Sequence, residues 1–334
     1  MRWLAVLAVL ILATGGGVGW LYLQYNAPGP LTATKTVIVP HGSLEEIAAS
    51  LAHEGVVAQP LVFRALALAT FRDGPLHAAE LAFPVNASLR HVLTILRTAR
   101  PVQHRVTIPE GLTAAQVAVV FDGAEAMAGT AKPPPEGSIL PDTYSFERGT
   151  AREQVLDRAR IAMDRALQTA WDARAPGLPL ATKAEALILA SIVERETGRA
   201  AERPIVAAVF LNRLRQGMKL QSDPTVVYGA SGGVGVLGHG ITRAELDRDD
   251  PYNTYRIPGL PPAPICMPGL AALRAVTQPA GSDALFFVAD GTGGHAFART
   301  QDDHLRNVAH WRDIERGREV ERGRAQGRTQ EVPH

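Results

Sequence analysis

The sequence predicts an α+β protein in three parts: an amino-terminal single-pass transmembrane helix, a small α/β subdomain beside the membrane, and a larger mixed α+β domain. Three observations predict it. No charged side chain falls between Trp3 and Leu23. From Thr36 onward, short β-branched runs alternate with helical stripes. After Thr150, helical patterns dominate until a strand–turn–strand pattern near Leu285. The boundaries fall at 1–25 for the anchor, 26–35 for a linker and 36–104 for the membrane-proximal subdomain. The larger domain covers 105–312, and 313–334 is expected to be a charged, disordered tail.

The composition narrows the function classes. A chain of 334 residues with 46% hydrophobic content is long enough for a substantial core. Its formal net charge is +1 and aromatic residues make up 6%, with basic residues scattered among acids, which argues against a nucleic-acid partner. The single cysteine, Cys266, rules out an intramolecular disulfide framework and a multi-cysteine metal site. Ten histidines offer no HExxH, and His239 and His295 read as loop residues, so no metal and no cofactor is expected.

The uncharged run from Trp3 to Leu23 is long enough, at ~1.5 Å per residue, to cross a hydrocarbon core of about 30 Å. Arg2 and the amino terminus precede it, which keeps that end cytoplasmic and puts the remaining chain outside. Trp20, Tyr22 and Tyr25 read as an interfacial belt. A cleaved signal peptide is the alternative, with Ala13 and Gly15 resembling a cleavage site; the apolar run exceeds the usual length of ~7–15 residues for such a core.

Val37–Val39 reads as a strand, Pro40-His41-Gly42 as a turn, and Ser43 as the cap of a helix with Leu44, Ile47, Ala48 and Leu51 on one face. A second helix follows Gln59. Similar strand–turn–helix units recur in 83–96 and 108–121, with Ser43 and Ser88 in equivalent capping places. Two helices between short strands resemble a LysM-type module, a small glycan-binding fold; a spacer without a ligand accounts for the same pattern. The Gly/Ala- and Pro-rich stretch 122–136 reads as a loop, and Tyr144 and Phe146 as a short strand. Thr150 and Glu153 form a capping-box pair opening a helix that ends near Gly177.

The helix that follows carries the chemistry. Thr182 and Glu185 pair as a capping box, and Ala184, Ala186, Leu187, Leu189, Ala190, Ile192 and Val193 make it apolar around most of its circumference, so it is expected to be buried. Glu194 then lies in the last turn among apolar neighbours, near the negative helix end, with Gly198 placed to stop the helix. Both effects favour a protonated carboxyl, the form a general acid needs. The alternative is a structural carboxylate paired with an arginine such as Arg195 or Arg213. Glu196, two residues on, points about 200° away, so only one of the two can line a given cleft; a surface ion pair with Arg199 is expected for it.

Polar groups concentrate after this helix. Pro204 opens another helix carrying Asn212 and Arg213; QSDPTVVYG supplies Gln221, Ser222, Asp223 and Tyr228; PYNTY supplies Tyr252, Asn253 and Tyr255. Amides, a hydroxyl, a short acid and tyrosines suit neutral sugar hydroxyls and pyranose faces, while Asn, Asp, Pro and Gly also favour turns.

The motifs ASIVERET (190–197), VFLNRLRQGMKLQSDPTVVYG (209–229), PYNTYRIPGLPPAPI (251–265) and LFFVADGTGGHAF (285–297) resemble the endolytic murein transglycosylase family, the MltG or YceG-like proteins. The resemblance runs from the anchor to about Trp311. Ala263 stands where glycine is common in that family, and the Gly-rich stretch 230–240 occupies a variable loop. It implies an inner-membrane protein with a LysM-like subdomain and a periplasmic catalytic domain that cuts nascent peptidoglycan strands internally. It also implies that Glu194 is the catalytic acid, with Asn212, Gln221, Ser222, Asp223, Tyr228, Tyr252, Asn253 and Tyr255 positioning substrate. Peptidoglycan synthases and other cell-wall machinery are the partners expected from the resemblance. A lytic transglycosylase protonates the MurNAc–GlcNAc glycosidic oxygen and then removes the C6 hydroxyl proton with the same group, leaving a 1,6-anhydroMurNAc end and needing neither a second carboxylate nor a metal. Two alternatives stay open: a membrane-anchored glycan-binding scaffold, and a hydrolytic muramidase with Asp223 as second carboxylate.

Towards the end, Leu285–Ala289 reads as a buried strand, 291–294 as a hairpin turn and His295–Ala298 as the return strand, followed by a helix over 301–311.

Overall fold

The computed structural model describes the backbone of residues 2–330 and the side chains of residues 3 and 14–318. The chain divides into two compact units. The first comprises residues 1–105 with 126–128 and 145–150; the second comprises 106–125, 129–144 and 151–334.

The first unit contains helix α1 (Arg2–Asn26), strand β1 (Lys35–Ile38), helices α2 (Leu44–His53) and α3 (Pro60–Ala69), strand β2 (Glu80–Phe83) and helix α4 (Leu89–Thr98). A single 3₁₀ turn, Phe71–Asp73, follows α3. β1 and β2 pair antiparallel, with Val37 opposite Leu81, so the order strand, two helices, strand is the one the sequence pattern calls for. The serine caps form as expected. Ser43 Oγ accepts the Glu46 N–H while Glu46 returns to the Ser43 N–H, and Ser88 Oγ accepts from His91. Leu51, Phe63, Phe83, Leu93 and Leu96 make a closed core, each burial contributing about 1.5–3 kcal/mol.

Residues 26–35 are not a free linker. Leu31 is buried in that core, the Gly29 N–H donates to Asn86 O, and the Asn86 N–H donates to Leu31 O. A side chain at Gly29 would meet Ala87 O at 2.0 Å, so only glycine permits this approach. Leu21 and Tyr25 also pack against the core, which removes Tyr25 from the expected interfacial belt; Trp20 and Tyr22 stay exposed. Among the described residues no helix is long and apolar enough to cross a membrane. The side chains of residues 4–13, which carry much of the expected span, lie outside the described residues.

The second unit is mostly helical: α5 (Ala114–Asp122), α6 (Arg152–Asp172), α7 (Lys183–Glu196), α8 (Arg203–Arg215), α9 (Asp223–Ala230), α10 (Arg243–Asp247), α11 (Leu270–Thr277) and α12 (Gln301–Gln330). Strands β3 (Gln103–Thr107) and β4 (Thr143–Glu147) pair with each other. β5 (Phe286–Ala289) and β6 (His295–Ala298) form the expected antiparallel hairpin, half-buried instead of fully buried.

α7 packs against α6, α8, α9 and α11, and its Leu189, Ile192 and Val193 are sealed in the core. Several local expectations need correction. Glu185 bonds the Ala181 N–H, not that of Thr182, so the capping box of α7 is incomplete, although Thr182 does cap Glu185. The Thr150–Glu153 box is absent: the Thr150 N–H turns back to Glu147 O, and α6 begins after Ala151. α7 stops before Gly198 because Thr197 is already extended, its Oγ1 accepting the Arg199 N–H. α12 is helical to Gln330, through most of the stretch expected to be disordered; within it Arg306–Asp303 and Arg316–Asp313 pair at i, i+3 spacing. Residues 331–334 lie outside the described residues.

Candidate active site

The last turn of α7 presents its two glutamates to different surroundings, as the 200° rotation between them requires. Glu194 faces the start of α8 and the start of α11. Its Oε1 lies 2.7 Å from an Arg203 guanidinium nitrogen, and its Oε2 accepts the Gly269 N–H at 2.8 Å, at the N-cap of α11. Its side chain is 3% exposed and that of Arg203 is 12% exposed. Burial pushes the Glu194 carboxyl above its ordinary range, and the charge of nearby Glu110 adds to this, while the Gly269 N–H and Arg203 pull it back. Both oxygens are occupied. The partner is Arg203, not Arg195 or Arg213: Arg195 donates to Gly111 O and Gly235 O, and Arg213 donates to Leu285 O beside β5 and to Leu220 O before α9.

Glu196 faces the start of α9 and lines an open cavity of about 330 Å³. The expected ion pair with Arg199 does not form, because Arg199 turns to Glu202 and Thr292. Instead the Ser222 hydroxyl donates to Glu196 Oε2 at 2.8 Å. Burial, with the charge of Asp223 adding, pushes the Glu196 carboxyl up to about 7, against the Ser222 hydrogen bond and Arg213, which act to lower it. A carboxyl in that state exists in both forms near neutral pH and can give and take a proton.

The loop before α9 and the PYNTY loop are fastened together by buried hydroxyls. The Ser222 N–H donates to Thr254 Oγ1, Thr225 and Thr254 share a 2.9 Å hydrogen bond, and the Gln221 N–H donates to Thr254 O. Gln221 adopts φ 53°, a left-handed conformation uncommon for a residue other than glycine and one that clusters at functional sites. This fastening brings Tyr255 to Asp223, whose Oδ1 accepts the phenol at 2.6 Å. Gln221, Asp223, Tyr255 and Arg213 line the same cavity as Glu196.

Four of the expected substrate residues stand elsewhere. Asn212 donates to Ser282 O and Ala284 O, holding the chain that enters β5. Asn253 is 1% exposed and donates to Glu245 O, Leu246 O and Arg248 O, so it is a turn-fixing amide. Tyr228 and Tyr252 pack with ring centroids 4.8 Å apart, and the Tyr228 hydroxyl donates to Glu136 Oε1. Glu136 also accepts the Ala114 N–H and has its carboxyl raised by burial. Ser222 belongs to the site as the holder of Glu196; it is itself fully buried.

The YceG-like family model matches residues 37–310, which is most of the chain. The chain belongs to the YceG-like family. It is 31% identical over 354 residues to an endolytic murein transglycosylase of Streptococcus pneumoniae serotype 2, covering 90% of this chain and 63% of the relative. It is 33% identical over 174 residues to an endolytic murein transglycosylase of Bacillus subtilis, covering 52% of this chain and 47% of the relative. The chain thus spans less than two thirds of the length of either curated relative. A crystal structure of a yceG-like protein from Listeria monocytogenes matches with a TM-score of 0.50 and 28% identity, over 82% of this chain and 98% of that one.

In this YceG-like chain, sequence reasoning missed two histidines that line the cavity. His295 opens β6, the return strand expected from the sequence, with Nδ1 2.7 Å from Glu202 Oε2. His304 lies on α12 and stacks on Phe286. Their signal was present only as position: one opens the return strand and the other lies in the first turn of the last helix, so the hairpin fold is needed to bring both to the cleft. Among the described residues no group of three or more His, Cys, Asp or Glu is placed to hold a metal ion.

Proposed function

We propose that this protein is an endolytic peptidoglycan lytic transglycosylase whose acid is Glu196. The observation that carries the assignment is the contrast between neighbouring glutamates. Glu194 has both oxygens bound and is closed off from the cavity, whereas Glu196 lines the cavity and is held through one oxygen by a neutral hydroxyl. Ser222 orients Glu196 without neutralising it, and Oε1 is left for a substrate. As the neutral acid, Glu196 protonates the glycosidic oxygen, and the bond from that oxygen to the MurNAc C1 breaks. The resulting carboxylate then removes the proton of the C6 hydroxyl as O6 bonds to C1, giving a 1,6-anhydro end and restoring the acid. No water is consumed.

The membrane topology and the amino-terminal subdomain belong to the same proposal. α1 has 25 residues, without charge from Trp3 to Leu23, and supports an inner-membrane anchor with the second unit on the periplasmic side. The strand–helix–helix–strand order of the first unit supports a LysM-like glycan-holding role beside the anchor. Nascent glycan strands are the proposed substrate, and cell-wall synthases the proposed partners.

Asp223 shares the cavity with Glu196, so a hydrolytic muramidase is the competing reading. Mass spectrometry of products from uncrosslinked glycan strands separates the two. Internal cuts with anhydroMurNAc ends support the transglycosylase, reducing MurNAc ends support the hydrolase, and intact strands retained on the protein support a binding scaffold.

A further inference from the structure

We propose that His304 is a further substrate-contacting residue of the Glu196 cleft, its imidazole forming a hydrogen bond with a hydroxyl or acetamido group of the glycan. The inference rests on the glycan-cleaving reading above. His304 comes from α12, remote in sequence from the glutamates, yet lines the same cavity as Glu196, Asp223 and Tyr255. Its ring is set by stacking on Phe286, with centroids 5.1 Å apart and planes 19° apart, and the Phe286 ring also carries the Arg213 guanidinium at 5.4 Å.

The hydrogen-bonding state of the ring is unusual. Nδ1 is buried with no partner, which leaves Nε2 as the nitrogen the cavity reaches. A histidine whose Nδ1 donates to a carbonyl has its tautomer pinned, and its Nε2 can then only accept. Here nothing pins it, so Nε2 can donate or accept as the ligand requires. Burial and the charge of Arg213 hold the imidazole below its ordinary pKa, which favours its uncharged form. The charged and titratable groups lining the cavity around it are Glu196 from α7, Arg213 from α8, Asp223 from α9 with Tyr255, and His295 from β6. Both signs are present and neither dominates. An uncharged ligand with groups that both give and receive hydrogen bonds fits such a wall, and a sugar is that kind of ligand.

The test uses the full-length protein in detergent or vesicles, with uncrosslinked glycan strands, comparing His304→Phe, which keeps the stacking, with His304→Gln, which restores a polar group. The expected result is a rise of about tenfold in KM for His304→Phe with kcat much less affected, and recovery of most of that loss in His304→Gln, as for one hydrogen bond to a neutral group. Melting temperatures should match the wild type in both. An unchanged KM in His304→Phe overturns the inference, as do equal losses in both variants accompanied by lower melting temperatures. Strand binding to Glu196→Gln and to Glu196→Gln/His304→Phe makes the same comparison without turnover. Reducing ends from the wild type, with His304→Phe still raising KM, would sink the transglycosylase reading and leave the His304 contact standing.

Discussion

The Ser222 hydroxyl donates to Glu196 Oε2 at 2.8 Å, from a side chain that is itself fully buried. A neutral donor fixes the carboxyl without bringing a bonded positive charge to it. Two residues earlier on the same helix, Glu194 has the opposite arrangement, with Arg203 at 2.7 Å. A general acid needs the first environment, and a structural tie between helix ends needs the second.

On the proposed mechanism, the acid form of Glu196 sets the pH dependence. With its carboxyl pushed up to about 7, cleavage should fall as pH rises through that value and the acid ionises. Asp223 contributes to the raised value through its charge. Asp223→Asn should therefore move the alkaline limb of the pH–rate profile to lower pH while anhydro ends continue to form. A limb that moves upward, or one that stays in place, would contradict the electrostatic account.

The same shift carries a stability signature. A carboxyl raised in the folded state binds more protons folded than unfolded between the ordinary value of 4.5 and about 7, so stability falls as pH rises through that window. Glu196→Gln removes the loss. Its unfolding midpoint should exceed that of the wild type at pH 8, by the equivalent of about 1–3 kcal/mol, and converge with it below pH ~4.5. Glu136 and Glu194, also raised by burial, add slope of the same sign to both proteins and cancel in the comparison.

Asn253 should behave as a structural residue. Its amide holds three carbonyls of the α10 region and is 1% exposed. Asn253→Ala should cost about 1–3 kcal/mol, read as a lower melting temperature, because it removes a buried amide and leaves three part-buried carbonyls without it. A stable Asn253→Ala protein with a selectively raised KM would return this residue to the substrate-binding set.

The elements were legible where local rules decide them. Ser43, Ser88 and Thr182 cap the helices they were expected to cap, and the hairpin of β5 and β6 follows from alternation around a glycine turn. The burial of α7 followed from its apolar circumference. The choice between Glu194 and Glu196 was not legible, because it depends on Arg203, Gly269 and Ser222, which reach α7 only after the helices pack. Helical geometry did require that one glutamate face away from the cleft; apolar neighbours in sequence pointed to Glu194, whereas the cavity lining favours the proposed Glu196. The loop-holding bonds of Asn212 and Asn253 were hidden for a related reason, since an amide that binds a sugar and an amide that holds a loop have the same sequence signature. The packing of residues 26–35 was not legible either, because Leu31 is one apolar residue beside Pro28, Gly29 and Pro30, and only the completed core gives it a place.

The most direct measurement is product analysis of glycan strands incubated with the wild type, Glu196→Gln and Glu194→Gln, with each variant's melting temperature recorded. The account predicts anhydro-ended fragments from the wild type and a loss of about a thousandfold or more in Glu196→Gln with the fold intact. Glu194→Gln should keep anhydro-forming activity while melting lower, since it weakens a buried ion pair. Full activity in Glu196→Gln, together with an inactive but normally folded Glu194→Gln, would contradict it and return the catalytic role to Glu194.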